Sequence, residues 1–233
     1  MKAWKTIAAA SALALGAGAV SASTYHDVSY QGSNIFNGNA KGTVTLSGDA
    51  VNGSPNVYAG GFALTAEGLG DFVAWCLDVG ANIFTSSPSQ YKETSEPFAN
   101  SLTLEQSAIT NITRLFDKYY NPGAVSSVLN DDKQATAFQT TLWKLVYGDD
   151  LTISNFSPSG ANDLSSDMFD FVTDTDNAIA RVWNLTFLES TANPRSQNLV
   201  TATVIPLPAA GWLLVTGLGG LALVARRRKS AAT

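Results

Sequence analysis

The chain has 233 residues, a formal net charge of −5 and a mean hydropathy of +0.05, and its 19 acidic residues outnumber its 14 lysines and arginines. This length suits one domain of ordinary size that buries its own core. An acidic surface repels nucleic acid and anionic membranes, so no nucleic-acid partner is expected.

The first 22 residues predict a secretory signal. Lys2 and Lys5 precede an apolar run over residues 7–20, and the small residues that end at Ala22 suit cleavage by signal peptidase. We therefore expect export by the Sec pathway and removal of the signal. Residues 23–204 would then form the extracellular domain.

Residues 25–79 predict antiparallel strands. Glycines interrupt this stretch, and apolar residues alternate with polar ones over 42–47 and 57–64, as in a sheet with one buried face. Residues 199–204 regain strand character at the end of the domain. Because the region between is helical in pattern, the sequence predicts the α+β class, with an N-terminal antiparallel sheet or sandwich and an inserted helical region.

Cys76 is the only cysteine, although exported proteins usually pair their cysteines in disulfides. Its segment, residues 70–79, has apolar residues on both faces and predicts a central strand, with Cys76 on the face of Phe72 and Ala74. Four explanations stay open for this thiol. It is an inert buried side chain, part of an intermolecular disulfide, a catalytic nucleophile, or one half of a different cross-link.

The spacing of apolar residues predicts three helices in the middle of the chain. The first covers residues 102–120 with Thr103 as its N-cap, and the third covers residues 163–182. Four acidic residues share one face of the third helix: Asp163, Asp167, Asp170 and Asp174. We interpret this row as a solvated surface rather than a calcium or glycosidase site.

The second predicted helix covers residues 131–147 and ends at Gly148. Phe138 and Trp143 belong to its apolar face. Its opposite face carries four residues: Lys133, Ala137, Thr140 and Lys144. Gln139 lies in the middle of the apolar face, where a primary amide costs about 1 to 3 kcal/mol unless it is hydrogen-bonded or chemically consumed.

Two short motifs, Trp75-Cys76-Leu77-Asp78 and Phe138-Gln139-Thr140-Thr141-Leu142-Trp143, together resemble the thioester domains of bacterial surface adhesins. In that family a cysteine thiolate displaces ammonia from a glutamine carboxamide and leaves an internal thioester. The resemblance implies that Cys76 is the sulfur donor and Gln139 the acyl donor, and that Trp143 packs beside the bond. Trp75, Asp78 and Phe138 would complete its surroundings, with the aromatic rings slowing hydrolysis.

Such a thioester implies a covalent adhesin. An amine on a target protein or polysaccharide would attack the Gln139 carbonyl and form a stable amide, and a groove that admits the amine would set specificity. The protein would react once, which is binding rather than catalysis. The alternative is a non-covalent surface or biofilm-matrix protein in which Cys76 is a buried structural residue and Gln139 is hydrogen-bonded.

Conventional enzyme chemistry lacks its usual groups in this sequence. His26 is the only histidine, and it lies near the N-terminus of the mature chain, where ends are commonly mobile. One histidine and one cysteine give no zinc spacing, and neither a phosphate-binding glycine loop nor a dinucleotide fingerprint occurs. We expect no enzymatic activity, no cofactor and no metal.

The C-terminal segment, residues 205–233, has three parts in a fixed order. The motif Ile205-Pro206-Leu207-Pro208-Ala209 comes first, and an apolar run over 209–225 follows, about the shortest helix that can cross a bilayer. The basic cluster Arg226-Arg227-Arg228-Lys229 ends the segment and would hold this end in the cytoplasm.

This order resembles the C-terminal sorting signals of the PEP-CTERM class of Gram-negative bacteria, most closely the VPLPA-CTERM variety. The resemblance implies that an exosortase-type membrane transpeptidase recognises Pro206-Leu207-Pro208 and removes the helix. The precursor would sit in the inner membrane as a single-pass protein, and the product would reach the cell surface or extracellular matrix. A plain anchor that is never cut is the alternative.

Overall fold

The computed structural model of the chain describes residues 24–32, 35–51, 55–83, 88–94, 104–120, 129 and 131–205. Several predictions lie outside the described residues: the signal at 1–22, Thr103 as an N-cap, the sorting motif beyond Ile205, the transmembrane helix at 209–225 and the basic cluster at 226–229. Within the described part of the chain, none of the helices has the length and apolar character needed to cross a membrane.

The described residues form nine strands and three α-helices. The strands are β1 (Tyr25–Tyr30), β2 (Gly42–Ser47), β3 (Asn56–Ala59), β4 (Phe62–Ala66), β5 (Gly70–Cys76), β6 (Ser89–Thr94), β7 (Thr152–Ser157), β8 (Trp183–Ser190) and β9 (Leu199–Val204). The helices are α1 (Gln106–Tyr119), α2 (Asp132–Tyr147) and α3 (Ala161–Thr173). Single 3-10 turns occur at Asn37–Asn39 and Gly148–Asp150.

Six antiparallel strands close into a barrel in the order β1-β4-β5-β9-β8-β6, and the other three form a separate antiparallel sheet in the order β3-β2-β7. The predicted antiparallel strands and central helices are therefore confirmed. The sheet closes into a barrel, which the sequence did not predict, because β1 pairs with β6 as well as with β4.

Strand β5 is central, as predicted, since it pairs with β4 on one edge and β9 on the other. The two ladders end at different points. The final pair with β4 is Phe62 with Ala74, whereas Cys76 still pairs with Leu199 of β9. Cys76 thus lies beyond the end of the β4 ladder, and its backbone groups on that edge need another partner.

The two faces of β5 belong to different hydrophobic clusters. Trp75 and Leu77 pack in a cluster with the three helices. Ala74 and Cys76 pack in a cluster that draws members from all six barrel strands, so this cluster fills the barrel. Phe72 packs against the same cluster, which confirms the predicted face of Cys76.

Helix α2 is confirmed with its N-cap, because the Asp131 side chain accepts a hydrogen bond from the Gln134 N–H at 3.0 Å. The predicted polar face was wrong in two positions, since Ala137 and Thr140 are fully buried. Helix α3 covers this side, and Thr140 Oγ1 donates to Ser165 Oγ at 3.0 Å. Burial of a hydroxyl is tolerated there because α3 supplies the hydrogen-bond partner.

The other two helices are shorter than predicted. Helix α1 begins at Gln106. Helix α3 ends at Thr173 instead of continuing to residue 182. At this end the Arg114 guanidinium donates hydrogen bonds to the Val172 and Asp174 carbonyls, each at 2.7 Å. Terminal carbonyls that accept hydrogen bonds from a side chain of another helix are satisfied without a further helical turn.

Two further expectations, about the strands and the N-terminus, also change. Residues 57–64 were expected to form one segment, but Gly60 and Gly61 divide it between β3 and β4 of different sheets. A Cβ on Gly61 would lie 2.9 Å from the Trp75 ring, so the turn has room only for glycine. His26 is not at a mobile end, because it is a buried member of β1 whose Nε2 lies 2.9 Å from Glu93 Oε1.

Candidate functional site

Cys76 and Gln139, 63 positions apart in sequence, are in direct contact. The Gln139 Oε1 accepts a hydrogen bond from the Cys76 N–H at 3.1 Å, and the Gln139 Nε2 donates to the Cys76 carbonyl at 2.7 Å. Both residues are buried, with relative exposures of 2% and 1%. The carboxamide therefore supplies the partner that the backbone of Cys76 lacks beyond the end of the β4 ladder.

The Cys76 thiol is free and donates to the Asp78 carbonyl oxygen at 3.1 Å. Burial raises the pKa of this thiol far above its ordinary value, and the negative charge of Asp78 raises it further. At neutral pH the sulfur is therefore protonated and unreactive towards outside reagents. Because the Cys76 thiol is buried, it is not accessible for an intermolecular disulfide.

Asp78 fixes the segment that follows Cys76. Its carboxylate forms an ion pair with Arg195 and accepts from the Gly80 N–H at 2.8 Å. Tyr147, in the last turn of α2, accepts from the Val79 N–H at 3.1 Å through its hydroxyl. The segment of Asp78, whose carbonyl accepts the thiol hydrogen bond, is thus held in place by Tyr147 of α2 and by Arg195, which precedes β9. Sequence reasoning missed Arg195 and Tyr147, because neither lies in the two motifs.

Trp143 lies one turn after Gln139 on α2 and packs in the same cluster as Cys76. Its Nε1 is buried and has no hydrogen-bond partner among the described residues. The Trp143 side chain nevertheless lowers the pKa of the Cys76 thiol, although burial and Asp78 outweigh it. Trp143 and Cys76 line the same cavity, but the indole N–H forms no hydrogen bond to the protonated thiol.

Trp75 and Phe138 occupy a different place from the one expected. Their ring centroids are 4.5 Å apart, and both belong to the cluster on the helix side of β5, away from Cys76. These rings hold α2 against β5. Of the three predicted aromatic rings, Trp143 is the one that packs in the same cluster as Cys76.

A cavity of about 160 Å³ opens at this contact. Cys76, Gln139 and Trp143 all line it. Its other described lining residues are uncharged: Leu46, Val51, Asn56, Val57, Tyr58, Gly60, Phe62, Val79, Ala81, Asn82 and Gln197. The space is large enough for a small amine or the end of an alkylamine chain.

The acidic residues of α3 do not contribute to this site. Among the described residues, no group of three or more His, Cys, Asp or Glu side chains is arranged to hold a metal ion. Asp174 is the C-cap residue of α3, and its carboxylate accepts from the Asp176 N–H at 3.0 Å. All four acidic residues of the row are exposed, which agrees with their interpretation as a solvated surface.

No family model matches the chain, and no curated protein matches its sequence. Among solved structures, the N-terminal domain of the Streptococcus pyogenes pilus tip adhesin Cpa is similar over 76% of this chain and 98% of its own, with 14% identity and a TM-score of 0.44. The N-terminal thioester domain of a surface protein from Clostridium perfringens is similar over 71% of this chain and 100% of its own, with 14% identity and a TM-score of 0.39.

The Bacillus anthracis TIE protein is similar over 71% of this chain and 39% of its own, with 8% identity and a TM-score of 0.34. At TM-scores this low, such likenesses carry no weight for function. Function is therefore argued from the contacts of Cys76 and Gln139 in this chain.

Proposed function

We propose that this chain is a cell-surface or extracellular-matrix protein that attaches covalently to its target through an internal thioester between Cys76 and Gln139. The observation that supports this most is the buried pairing of the Gln139 carboxamide with the Cys76 backbone, at 3.1 and 2.7 Å, beside a cavity that both residues line. The residue that carries the thiol and the residue that carries the carboxamide are thereby held together.

Formation of the thioester needs no outside reagent. The Cys76 sulfur bonds to the side-chain carbonyl carbon of Gln139, the carbon–nitrogen bond of the carboxamide breaks, and the nitrogen leaves as ammonia with the thiol proton. In the second step a neutral amine attacks the same carbon. An amide forms, the carbon–sulfur bond breaks, and the amine proton passes to the Cys76 sulfur, which returns to a thiol.

The second candidate is a non-covalent structural protein of the surface or matrix. One observation favours it: the Gln139 carboxamide already satisfies both backbone groups of Cys76, so its burial is explained without chemistry. The two candidates predict different masses, because only the thioester removes ammonia.

Intact mass of the exported protein, produced from the full-length chain, separates these functions. The wild type is compared with Cys76→Ala, so that any processing of the ends cancels. A thioester makes the wild type lighter, by one ammonia, than the substitution alone predicts, and excess methylamine restores one amine at Gln139. A wild type that differs from Cys76→Ala only by the mass of the substitution, and that takes up no methylamine, supports the structural protein instead.

Sorting is part of the proposal. Signal peptidase and then an exosortase-type transpeptidase would process the two ends, and the membrane would hold the precursor only through residues 209–225. Ile205 donates its backbone N–H to the Val182 carbonyl at 3.0 Å, so the folded domain reaches the first residue of the motif. Amine-bearing surface proteins or polysaccharides are the targets that this chemistry suits.

A further inference from the structure

One buried polar group beside the Cys76–Gln139 contact has no role in the fold. The Trp143 Nε1–H is out of contact with water and, among the described residues, has no hydrogen-bond partner. An unpaired buried donor costs about 1 to 3 kcal/mol in other proteins, and an acceptor that appears at some stage would offset this cost. Trp143 shares the cavity with both reacting residues, which limits where that acceptor can be.

The acceptor that the geometry offers is the Cys76 sulfur. A protonated thiol is a weak acceptor, and its own hydrogen is directed at the Asp78 carbonyl. A sulfur with negative charge is a much stronger acceptor, and charge-assisted hydrogen bonds are about twice as strong as neutral ones. The sulfur carries this charge twice, as the thiolate that forms before the attack on Gln139 and as the leaving group when the amine adds.

We propose that the Trp143 indole N–H stabilises the negative charge on the Cys76 sulfur in both steps. This inference rests on the proposed thioester function and adds a group that acts on a reacting atom. Two charged groups near the sulfur are unsuited to this purpose: Asp78 carries a negative charge that opposes the thiolate, and Arg195 is committed to Asp78. The cavity that Gln139 lines gives the amine a route to its side chain.

The chain provides a matched control in Trp75. Its Nε1 is also buried without a partner among the described residues, but its ring lies in the cluster on the other side of β5. Trp143→Phe and Trp75→Phe remove the same atoms from cores of similar burial. Only the first removes a donor from a residue that lines the cavity with Cys76 and Gln139.

The experiment uses the full-length chain collected in denaturant before it has folded, so that Gln139 still carries its amide nitrogen, and the chain is then refolded. Loss of ammonia is followed by mass spectrometry during refolding, and methylamine addition is then followed in the product. We expect Trp143→Phe to slow both steps about tenfold to a hundredfold, the range for a hydrogen bond to a charged group, and Trp75→Phe to change them by less than about twofold.

A second pair of variants guards against failure to fold. Trp143 and Trp75 are replaced in turn by 3-benzothienylalanine, which keeps the bicyclic shape and lacks only the N–H. If the two analogue proteins react at the same rate, whether that rate equals the wild-type rate or is lower, the role of Trp143 is overturned while the thioester remains in place. A wild type that never loses ammonia would instead overturn the proposed function, and this inference with it.

Discussion

The side-chain carboxamide of Gln139 occupies the place beside Cys76 that a neighbouring strand would fill, because it accepts from the Cys76 N–H and donates to the Cys76 carbonyl. The contact involves only the main chain of residue 76. It therefore persists when the thiol is removed, and the structural and chemical roles of Gln139 can be measured separately.

In a Cys76→Ala background, where no thioester can form, we expect Gln139→Ala to lower the free energy of unfolding by about 2 to 4 kcal/mol. Two buried backbone groups lose their partners, and each costs about 1 to 3 kcal/mol when left unsatisfied. Urea denaturation measures the change. Gln134→Ala, on the same helix and only partly buried, is the matched control with little expected loss. A stability unaffected by Gln139→Ala would show that the carboxamide does not support β5.

Arg195→Met should destabilise the domain by about 2 to 3 kcal/mol at neutral pH, because it leaves the Asp78 carboxylate, 4% exposed, without its cation. Arg181→Met is the comparison. Arg181 pairs with Asp117, but its side chain is 56% exposed, and the Asp117 carboxylate also accepts from the Val182 and Trp183 N–H groups. A loss below about 1 kcal/mol is expected there. Equal effects of the two changes would contradict the assignment of Asp78 to Arg195.

The raised pKa of the Cys76 thiol predicts a loss of stability in alkali. Burial keeps the folded thiol protonated, whereas the unfolded thiol ionises above about pH 8.5. The unfolded state then binds fewer protons than the folded state, so the free energy of unfolding falls as pH rises, by about 1.4 kcal/mol per pH unit from this residue.

Urea denaturation between about pH 8 and 10 tests this in Gln139→Ala, where the thiol stays free, against the double variant Gln139→Ala/Cys76→Ala. Subtracting the second curve from the first removes the contribution of the tyrosines. A difference that does not change with pH would mean that the thiol is not buried as described.

The predicted sorting signal is tested by a tag placed after Thr233. Cleavage near Pro206-Leu207-Pro208 removes everything from Ala209 onward, so exported protein should lack the tag and the membrane fraction should carry it only as precursor. Immunoblots of both fractions, with and without the sorting enzyme, measure this. A tag kept in the membrane equally in both strains would favour the plain anchor.

The elements that the sequence predicted well are those with a strong local pattern. Helix α2 has its Asp131 cap and a regular apolar spacing, and β5 has apolar residues on both faces, so both were found with nearly correct ends. The prediction that Cys76 and Gln139 meet came from the resemblance of their two motifs to thioester domains, and the structure brings the two residues into contact.

Long-range contacts decided what the sequence did not reveal. Closure of the barrel depends on β1 pairing with β6, and neither β7 nor β8 was predicted, because their burial comes from neighbours distant in sequence. The end of α3 depends on Arg114, which belongs to another helix. Arg195 joined the site by an ion pair across 117 positions, which no local pattern could indicate.

Strand β9 gives the domain a particular response to mechanical load. It is the last strand before the sorting motif and is hydrogen-bonded along both edges, to β5 and to β8. Tension on an attachment after Ile205 would run along the axis of β9, so many hydrogen bonds would have to break together in shear instead of one after another. A target bonded to Gln139, as we propose, would pull on α2. The force would then pass through the contact between α2 and β5, where Gln139 meets Cys76.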